Sequence, residues 1–373
     1  MRDNSSENSG TEAWYTYEGQ DSDVIAATRV RLARNLADFP FPDRLRPGDD
    51  ERVISIVFDA FNQLPDGDSF QAITMDKLDS LGWRILHERG ALDFHGSKKE
   101  GLILRNDGRL SCTVNTGDHV QIKAFATGLD LDQTVRMVTA VDSGLQSKIQ
   151  FAASFDFGYL TANTWDAGSG MKISLRMHLP SVAALGGIRS LASMVMSEGF
   201  SFTATYGNGG YNNVDGTGGN GASLGAYYTL DTVNSLSGTE LDQMSAVVSM
   251  AAKIKDIERT SRDECKRNIP SNVKNYMYRS VSLARSSLFI SLREAISIIS
   301  GVKWGRDMGF LTGIDDTELH ALLYRIQEGH LEYVLKNGVF HFEKDVKDVP
   351  QKKNERLRAL ILQEAFQDIK PAL

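Results

Sequence analysis

Met171-Lys172-Ile173-Ser174-Leu175-Arg176-Met177-His178-Leu179 alternates apolar and polar residues without a slip. On a strand successive side chains point to opposite faces, so Met171, Ile173, Leu175, Met177 and Leu179 take one face and Lys172, Ser174, Arg176 and His178 the other. The preceding stretch, 157–170, reads as a polar loop that presents Asn163, Thr164, Trp165 and Asp166 beside two cations and an imidazole. A cationic strand face next to such a loop can hold an anion. A half-buried strand with a solvated outer face explains the same alternation.

The neighbours of this strand point to an antiparallel sheet. Residues 102–104 and 110–114 flank the turn Asn106-Asp107-Gly108, and a second turn, Asn115-Thr116-Gly117-Asp118, leads into Val120, Ile122 and Ala124 alternating with Gln121 and Lys123. Two further strands, 202–206 and 226–233, enclose a glycine-rich loop. Its Gly216-Thr217-Gly218-Gly219-Asn220-Gly221 matches the spacing of a dinucleotide fingerprint but precedes a strand, whereas that fingerprint must open a helix; the loop reads as a flap. Helical periodicity covers 50–62, 75–88, 131–148 and 182–198 in the first two thirds, then 241–262, 273–287, 291–300, 316–337 and 354–368. The expected fold class is α+β: an antiparallel sheet flanked by helices, followed by an all-helical C-terminal domain. The expected division is a disordered tail at 1–12, a sheet-bearing domain at 13–258 and a helical domain at 259–373, with the charged run 258–264 near the border.

The length of 373 residues suffices for one large or two ordinary domains. A net charge of −7 argues against a general nucleic-acid binder, because no excess of cations is available to displace counterions. No apolar run approaches the roughly 20 residues needed to cross a bilayer, and residues 1–10 lack a signal-peptide core, so no membrane contact and a cytoplasmic location are expected. Cys112 and Cys265 are too few for a disulfide framework or a structural zinc site, and no metal ligand set is evident.

Asp23-Val24-Ile25-Ala26-Ala27-Thr28-Arg29-Val30-Arg31-Leu32-Ala33-Arg34-Asn35 places Arg29 and Arg31 on one strand face. Two guanidiniums side by side can grip a polyphosphate, since each offers a fork of donors that matches phosphate oxygens; a solvated amphipathic segment would carry the same residues. Residues 27–35 resemble the Ser-Ser-Arg-Ile-Arg-Leu-Ala-Arg-Asn of bacterial protein arginine kinases, and 157–180 resembles the Gly-Tyr-Leu-Thr-Ser-Cys-Pro-Thr-Asn-x-Gly-Thr-Gly loop and following strand of the wider ATP:guanidino phosphotransferase family. Residues 283–295 and 300–309 resemble the helical C-terminal domain peculiar to the protein arginine kinases. The resemblance runs from about 14 to 366 and implies ATP with Mg²⁺ as phosphoryl donor. It assigns nucleotide or phosphate contacts to Thr28, Arg29, Arg31, Gln121, Lys172, Arg176, Thr203 and Tyr206.

The family's reactive positions are altered. Its Asn-Glu-Glu-Asp-His-x-Arg corresponds to Asn115-Thr116-Gly117-Asp118-His119-Val120-Gln121, so Thr116 and Gly117 replace both glutamates and Gln121 an arginine. Lys172 replaces another arginine and Asn163 the loop cysteine. Thr203 stands where the family's Arg-Gly-Ile-Tyr-Gly-Glu has its arginine, and Asn208 where it has its glutamate. Asp118, Asp166 and Asp215 are carboxylates that a rearranged site could use instead. In the helical domain, the family's phosphoarginine-binding Arg-Asp-x-x-Arg-Ala corresponds to Asn354-Glu355-Arg356-Leu357-Arg358-Ala359, which makes Asn354, Glu355 and Arg358 candidates for that ligand; a charged amphipathic helix accounts for them equally. The expectation is a divergent member with no intact catalytic residues and lost or strongly reduced activity, acting as a pseudokinase or regulatory adaptor in protein quality control. The alternative is an active kinase with a rearranged site. Family partners would be a zinc-finger activator, a related kinase or a Clp-type unfoldase, with a homodimer also allowed.

Overall fold

The computed structural model describes residues 13–92, 99–207, 223–235 and 238–372. The proposed tail 1–12, Asn208, Asp215 and the glycine loop's 216–221 lie outside them.

The strands run in chain order as β1 (Ile25–Arg34), β2 (Phe70–Thr74), β3 (Gly101–Arg105), β4 (Leu110–Val114), β5 (Val120–Thr127), the two-residue β6 (Ala153–Ser154) and β7 (Gly158–Tyr159), β8 (Met171–His178), β9 (Phe200–Ala204), β10 (Tyr227–Thr232), β11 (Leu311–Thr312) and β12 (Lys370–Pro371). Eight of them form one sheet in the order β2-β3-β4-β5-β1-β8-β10-β9, antiparallel throughout. The helices are α1 (Asp49–Asn62), α2 (Ser80–Glu88), α3 (Leu131–Gln146), α4 (Pro180–Ala184), α5 (Ile188–Ser197), α6 (Glu240–Asn268), α7 (Pro270–Ser286), α8 (Leu292–Asp307), α9 (Asp316–Arg325), α10 (Glu328–Asn337) and α11 (Pro350–Ala365). An antiparallel sheet with flanking helices and a helical C-terminal region is the expected α+β class.

One face of the sheet, carrying Val30, Leu32, Ile122, Ile173, Leu175 and Leu230, packs against α1, α3, α5 and the first half of α6. The other face is divided. Ala27, Phe125 and Tyr227 join Trp14, Tyr15 and the helices α7, α8, α9 and α11 in a second core, while the remainder stays polar. The polar face of β8 is therefore not simply solvated: Ser174 and His178 are buried. The 29-residue α6 contributes Val247, Met250 and Ile254 to the first core and Cys265 to the second, so residue 258 lies within a continuous helix.

Local chemistry sets several boundaries. A capping box between Thr239 and Asp242 opens α6, and Ser291 Oγ accepts from the backbone N–H of Glu294 to open α8. The helix expected over 182–198 is broken at Gly186, whose φ of +74° is left-handed. The one expected over 316–337 is broken after Arg325. There Arg358 Nε donates to the Ile326 carbonyl at 2.9 Å, a group that an unbroken helix would pair with residue 330. The one expected over 75–88 starts only at Ser80, capped by Asp79.

Candidate anion-binding face

The β1 register builds the site. Arg31 is paired with Lys123 on β5 and with Lys172 on β8, and Arg29 is paired with Ser174. Side chains directly opposite on antiparallel strands share a face. Arg29, Arg31, Lys123, Lys172 and, four residues further along β8, Arg176 thus line one face, and Thr203 on β9 joins them through Thr229 on β10. Two carboxylates enter this field. Asp166 Oδ2 accepts from Arg31 Nη2 at 2.5 Å, and Asp231 Oδ1 accepts from Ser174 Oγ. Among the described residues the face carries Arg29, Arg31, Lys123, Lys172 and Arg176 beside the carboxylates of Asp166 and Asp231. Lys172 has no ion-pair partner among the described residues, and Arg31 Nε is buried without an acceptor. Such donors fit an incoming oxyanion.

Arg176 is placed by aromatic residues of two regions. Its Nη1 donates to Tyr324 Oη of α9 at 3.0 Å and lies 3.4 Å from Tyr206 Oη, which follows β9. Its guanidinium lies within cation–π range of both rings. Tyr324 in turn stacks on Tyr15, with centroids 4.2 Å apart.

Several residues expected in the site do other work. Thr28 is on the opposite face: it is fully buried, donates to the Gly128 carbonyl at 2.6 Å and accepts from the Asp130 N–H, anchoring the start of α3. The even-numbered position alone dictates this, so the phosphate contact expected of Thr28 does not fit the structure. Arg34 shares that face, paired with Asp142 at 2.9 Å and stacked on Tyr159. His178, an imidazole expected to face the anion, is covered by α8 instead. Its Nε2 lies 2.8 Å from Ser300 Oγ, and burial holds its pKa well below the usual histidine value.

Asn163 caps a single turn, Thr164–Asp166, by accepting from the Trp165 N–H. Thr116 Oγ1 donates to Thr113 Oγ1 at 2.6 Å, and Gly117 has φ +105°, a left-handed conformation that a glutamate would rarely adopt. Gln121 Nε2 donates to the Thr116 carbonyl and to Asp118, both at 3.3 Å. Asp118 is buried and holds Asn35 Nδ2 and the Ala162 N–H at 2.7 and 2.8 Å, so its carboxylate is a strut and not a base.

The candidate phosphoarginine residues are also engaged. Arg358 is fully buried; Nε and Nη1 donate to the carbonyls of Ile326 and Ile290, each at 2.9 Å, and Nη2 pairs with Glu328 at 2.6 Å. Asn354 Nδ2 donates to the same Glu328, and Glu355 accepts from Gln351. Three of the five N–H donors of Arg358 are thus committed inside the fold.

Lys123 and Asp231 were not singled out in the sequence. Both follow from period two once the register is known: Lys123 alternates with Gln121, and Asp231 with Thr229 and Tyr227.

The chain thus combines an all-antiparallel sheet, a cationic face on its central strands and a helical region packed over one end. Residues 52–261 match the family described as ATP:guanido phosphotransferase, C-terminal catalytic domain, and residues 270–372 match the Protein-arginine kinase McsB C-terminal domain. The chain belongs to the ATP:guanido phosphotransferase family, in its protein-arginine kinase branch. It is 26% identical over 327 residues to the protein-arginine kinase of Syntrophomonas wolfei, covering 86% of this chain and 88% of that one. It is 25% identical over 345 residues to that of a Geobacillus species, covering 91% and 92%. Among solved structures, lombricine kinase superposes with a TM-score of 0.55 at 15% identity, over 68% of this chain and 72% of that one. The duplicated taurocyamine kinase of Schistosoma mansoni superposes at 0.56 and 16%, over 75% and 40%. These last two likenesses concern the fold alone.

Proposed function

We propose that this chain is a protein-arginine kinase-like protein that retains a polyphosphate cradle, has lost most or all phosphoryl transfer, and acts through protein partners as a pseudokinase or adaptor in protein quality control. The observation that carries this is the contrast between the strands and the turn of one site. Arg29, Arg31 and Lys172 stand ready on the sheet, whereas the 115–118 turn offers Thr116, bonded to Thr113, and a glycine at φ +105°. ATP phosphates would lie along Arg29, Arg31, Lys172 and Arg176, with Lys123 beneath. Among the described residues no cluster of three metal-ligating side chains forms, so Mg²⁺ would rest chiefly on the phosphates, its usual mode.

Transfer to an arginine needs more. A guanidinium is protonated at any physiological pH and must be oriented and relieved of a proton by carboxylates. Removing a general base typically costs about 10²–10⁴ in rate, and removing a charge-stabilising arginine about 10³–10⁵. These losses are not additive, yet either alone would leave little activity. Calorimetric titration with Mg·ATP tests the cradle: saturable binding by the native chain, abolished in an Arg29→Ala/Arg31→Ala double variant, supports it, and no binding by the native chain refutes it.

Asp166 and Asp231 favour a second reading, an active kinase with a rearranged site, because both carboxylates lie on the cationic face. Phosphoarginine formed by the native chain and lost in Asp231→Asn would establish it. The adaptor role rests on the family's partners, a zinc-finger activator, a related kinase or a Clp-type unfoldase. It would be abandoned if none of these co-purified with the chain.

A further inference from the structure

Arg176 lies diagonally across from Arg29 on the anion-binding face, since Arg29 pairs with Ser174 and Arg176 with Ala27. It is half-buried, and among the described residues its hydrogen-bonding contacts are two tyrosine hydroxyls, with no carboxylate paired to it. Burial pushes the pKa of the Tyr324 phenol up, so its oxygen accepts as a neutral group. A guanidinium withdrawn from water without a counter-ion is costly, and an anionic ligand offsets that cost. Nη1 is committed to the tyrosines, which leaves Nε and Nη2 without partners among the described residues.

Tyr324 is fixed from two directions. It sits at the end of α9, where Arg358 Nε donates to the Ile326 carbonyl at 2.9 Å. Its ring stacks on Tyr15, and Trp14 meets it edge-on with centroids 5.3 Å apart. Trp14 stacks in turn on Phe125, at 5.5 Å, and Phe125 is the β5 partner of Arg29. One aromatic column thus runs from α9 through the N-terminal segment to the sheet position opposite Arg29. The buried hydroxyl at its α9 end accepts from Arg176.

We infer that Tyr324 is a positioning residue of the anion-binding face. It acts through Arg176, holding Nη1 so that Nε and Nη2 meet the ligand, and thereby makes the helical region part of the polyphosphate site. A flexible arginine loses rotamer freedom when it grips a phosphate, and a guanidinium fixed in advance loses less. Coupling of this kind is reciprocal: if the docking of α9 strengthens ligand binding, the ligand fastens α9 to the sheet. This role rests on the polyphosphate cradle proposed above, to which it adds a residue from outside the sheet.

The test is calorimetric titration of the full chain with Mg·ATP in four forms: native, Tyr324→Phe, Arg176→Met and the double variant. Tyr324→Phe keeps the ring and its stacking, so its circular dichroism matches that of the native chain, and it weakens ATP binding about three- to tenfold, the usual effect of one hydrogen bond. Because Tyr324 acts through Arg176, the double variant binds no more weakly than Arg176→Met alone, whereas a general structural role would weaken both backgrounds equally. Hydrogen exchange of the native chain reads the coupling without any substitution: Mg·ATP slows the amides of α9. Native affinity in Tyr324→Phe, equal weakening in both backgrounds, or α9 exchange unmoved by bound ATP each overturns the role of Tyr324 and leaves the cradle standing. No binding by the native chain overturns both.

Discussion

Arg31 Nη2 lies 2.5 Å from Asp166 Oδ2, and that carboxylate comes from the one-turn helix that Asn163 caps. Opposite Arg31 on both neighbouring strands stand lysines, 123 and 172, so Asp166 places a counter-ion beside a like-charged row. Like charges directly opposed across strands destabilise a sheet.

Replacing this counter-ion should therefore move stability and affinity in opposite directions. Asp166→Asn is expected to lose on the order of 1 kcal/mol of unfolding free energy in urea. It should also bind magnesium-free ATP several-fold more tightly in calorimetry at low salt. Unchanged affinity would mean that Arg31 is not a phosphate ligand.

The two faces of β1 should separate cleanly. Arg29→Ala and Lys172→Ala are each expected to weaken ATP binding by about tenfold, the usual effect of one charge-assisted hydrogen bond. Thr28→Val, on the far face, should leave the affinity alone and cost about 1–2 kcal/mol in chemical denaturation, because the Gly128 carbonyl and the Asp130 N–H lose their partner.

Arg358→Met should destabilise the helical region by about 3–5 kcal/mol, the usual consequence of removing one partner of a buried ionic network. The carbonyls of Ile326 and Ile290 are left without donors. Phosphoarginine should give no thermal shift with the native chain, since the guanidinium that would receive its phosphate is fully buried and held by two carbonyls and Glu328.

Acid should unfold the protein from below about pH 6.5, the ordinary histidine value. Burial lowers His119 and His330 to about 4 and His320 to about 3. In each case the unfolded chain takes up a proton at a pH where the folded one does not. Their stabilisation is complete above 6.5 and is lost as pH falls toward the folded values, at about 1.4 kcal/mol per pH unit for each histidine. Glu258 acts in the opposite sense: its raised carboxyl favours the fold at low pH, and that contribution fades as pH rises through about 7. Urea midpoints measured from pH 4 to 8 should thus rise steeply to near neutrality and then flatten.

The strand 171–179 was legible because its two periods never conflict, and Arg29 with Arg31 followed from the same rule. Thr28 departs from the family contact because even-numbered residues of β1 face the core and not the anion-binding side. His178 defeated the reading for a different reason: its strand position is correct, but the helices that bury it are over a hundred residues away in sequence. Arg358 looked like a surface cation on a charged helix. Only the break between α9 and α10 shows that its guanidinium replaces a helical hydrogen bond at the Ile326 carbonyl. Lys123 and Asp231 required the strand register, which alternation alone does not supply.

The central claim is a phosphate cradle without transfer, and incubation of the native chain with Mg·[γ-³²P]ATP and an arginine-rich protein tests it most directly, with acid-labile phosphoarginine counted on both. At an enzyme concentration that saturates with ATP in calorimetry, no phosphoarginine above a no-enzyme control is predicted. Phosphoarginine accumulating beyond one equivalent per chain would contradict it.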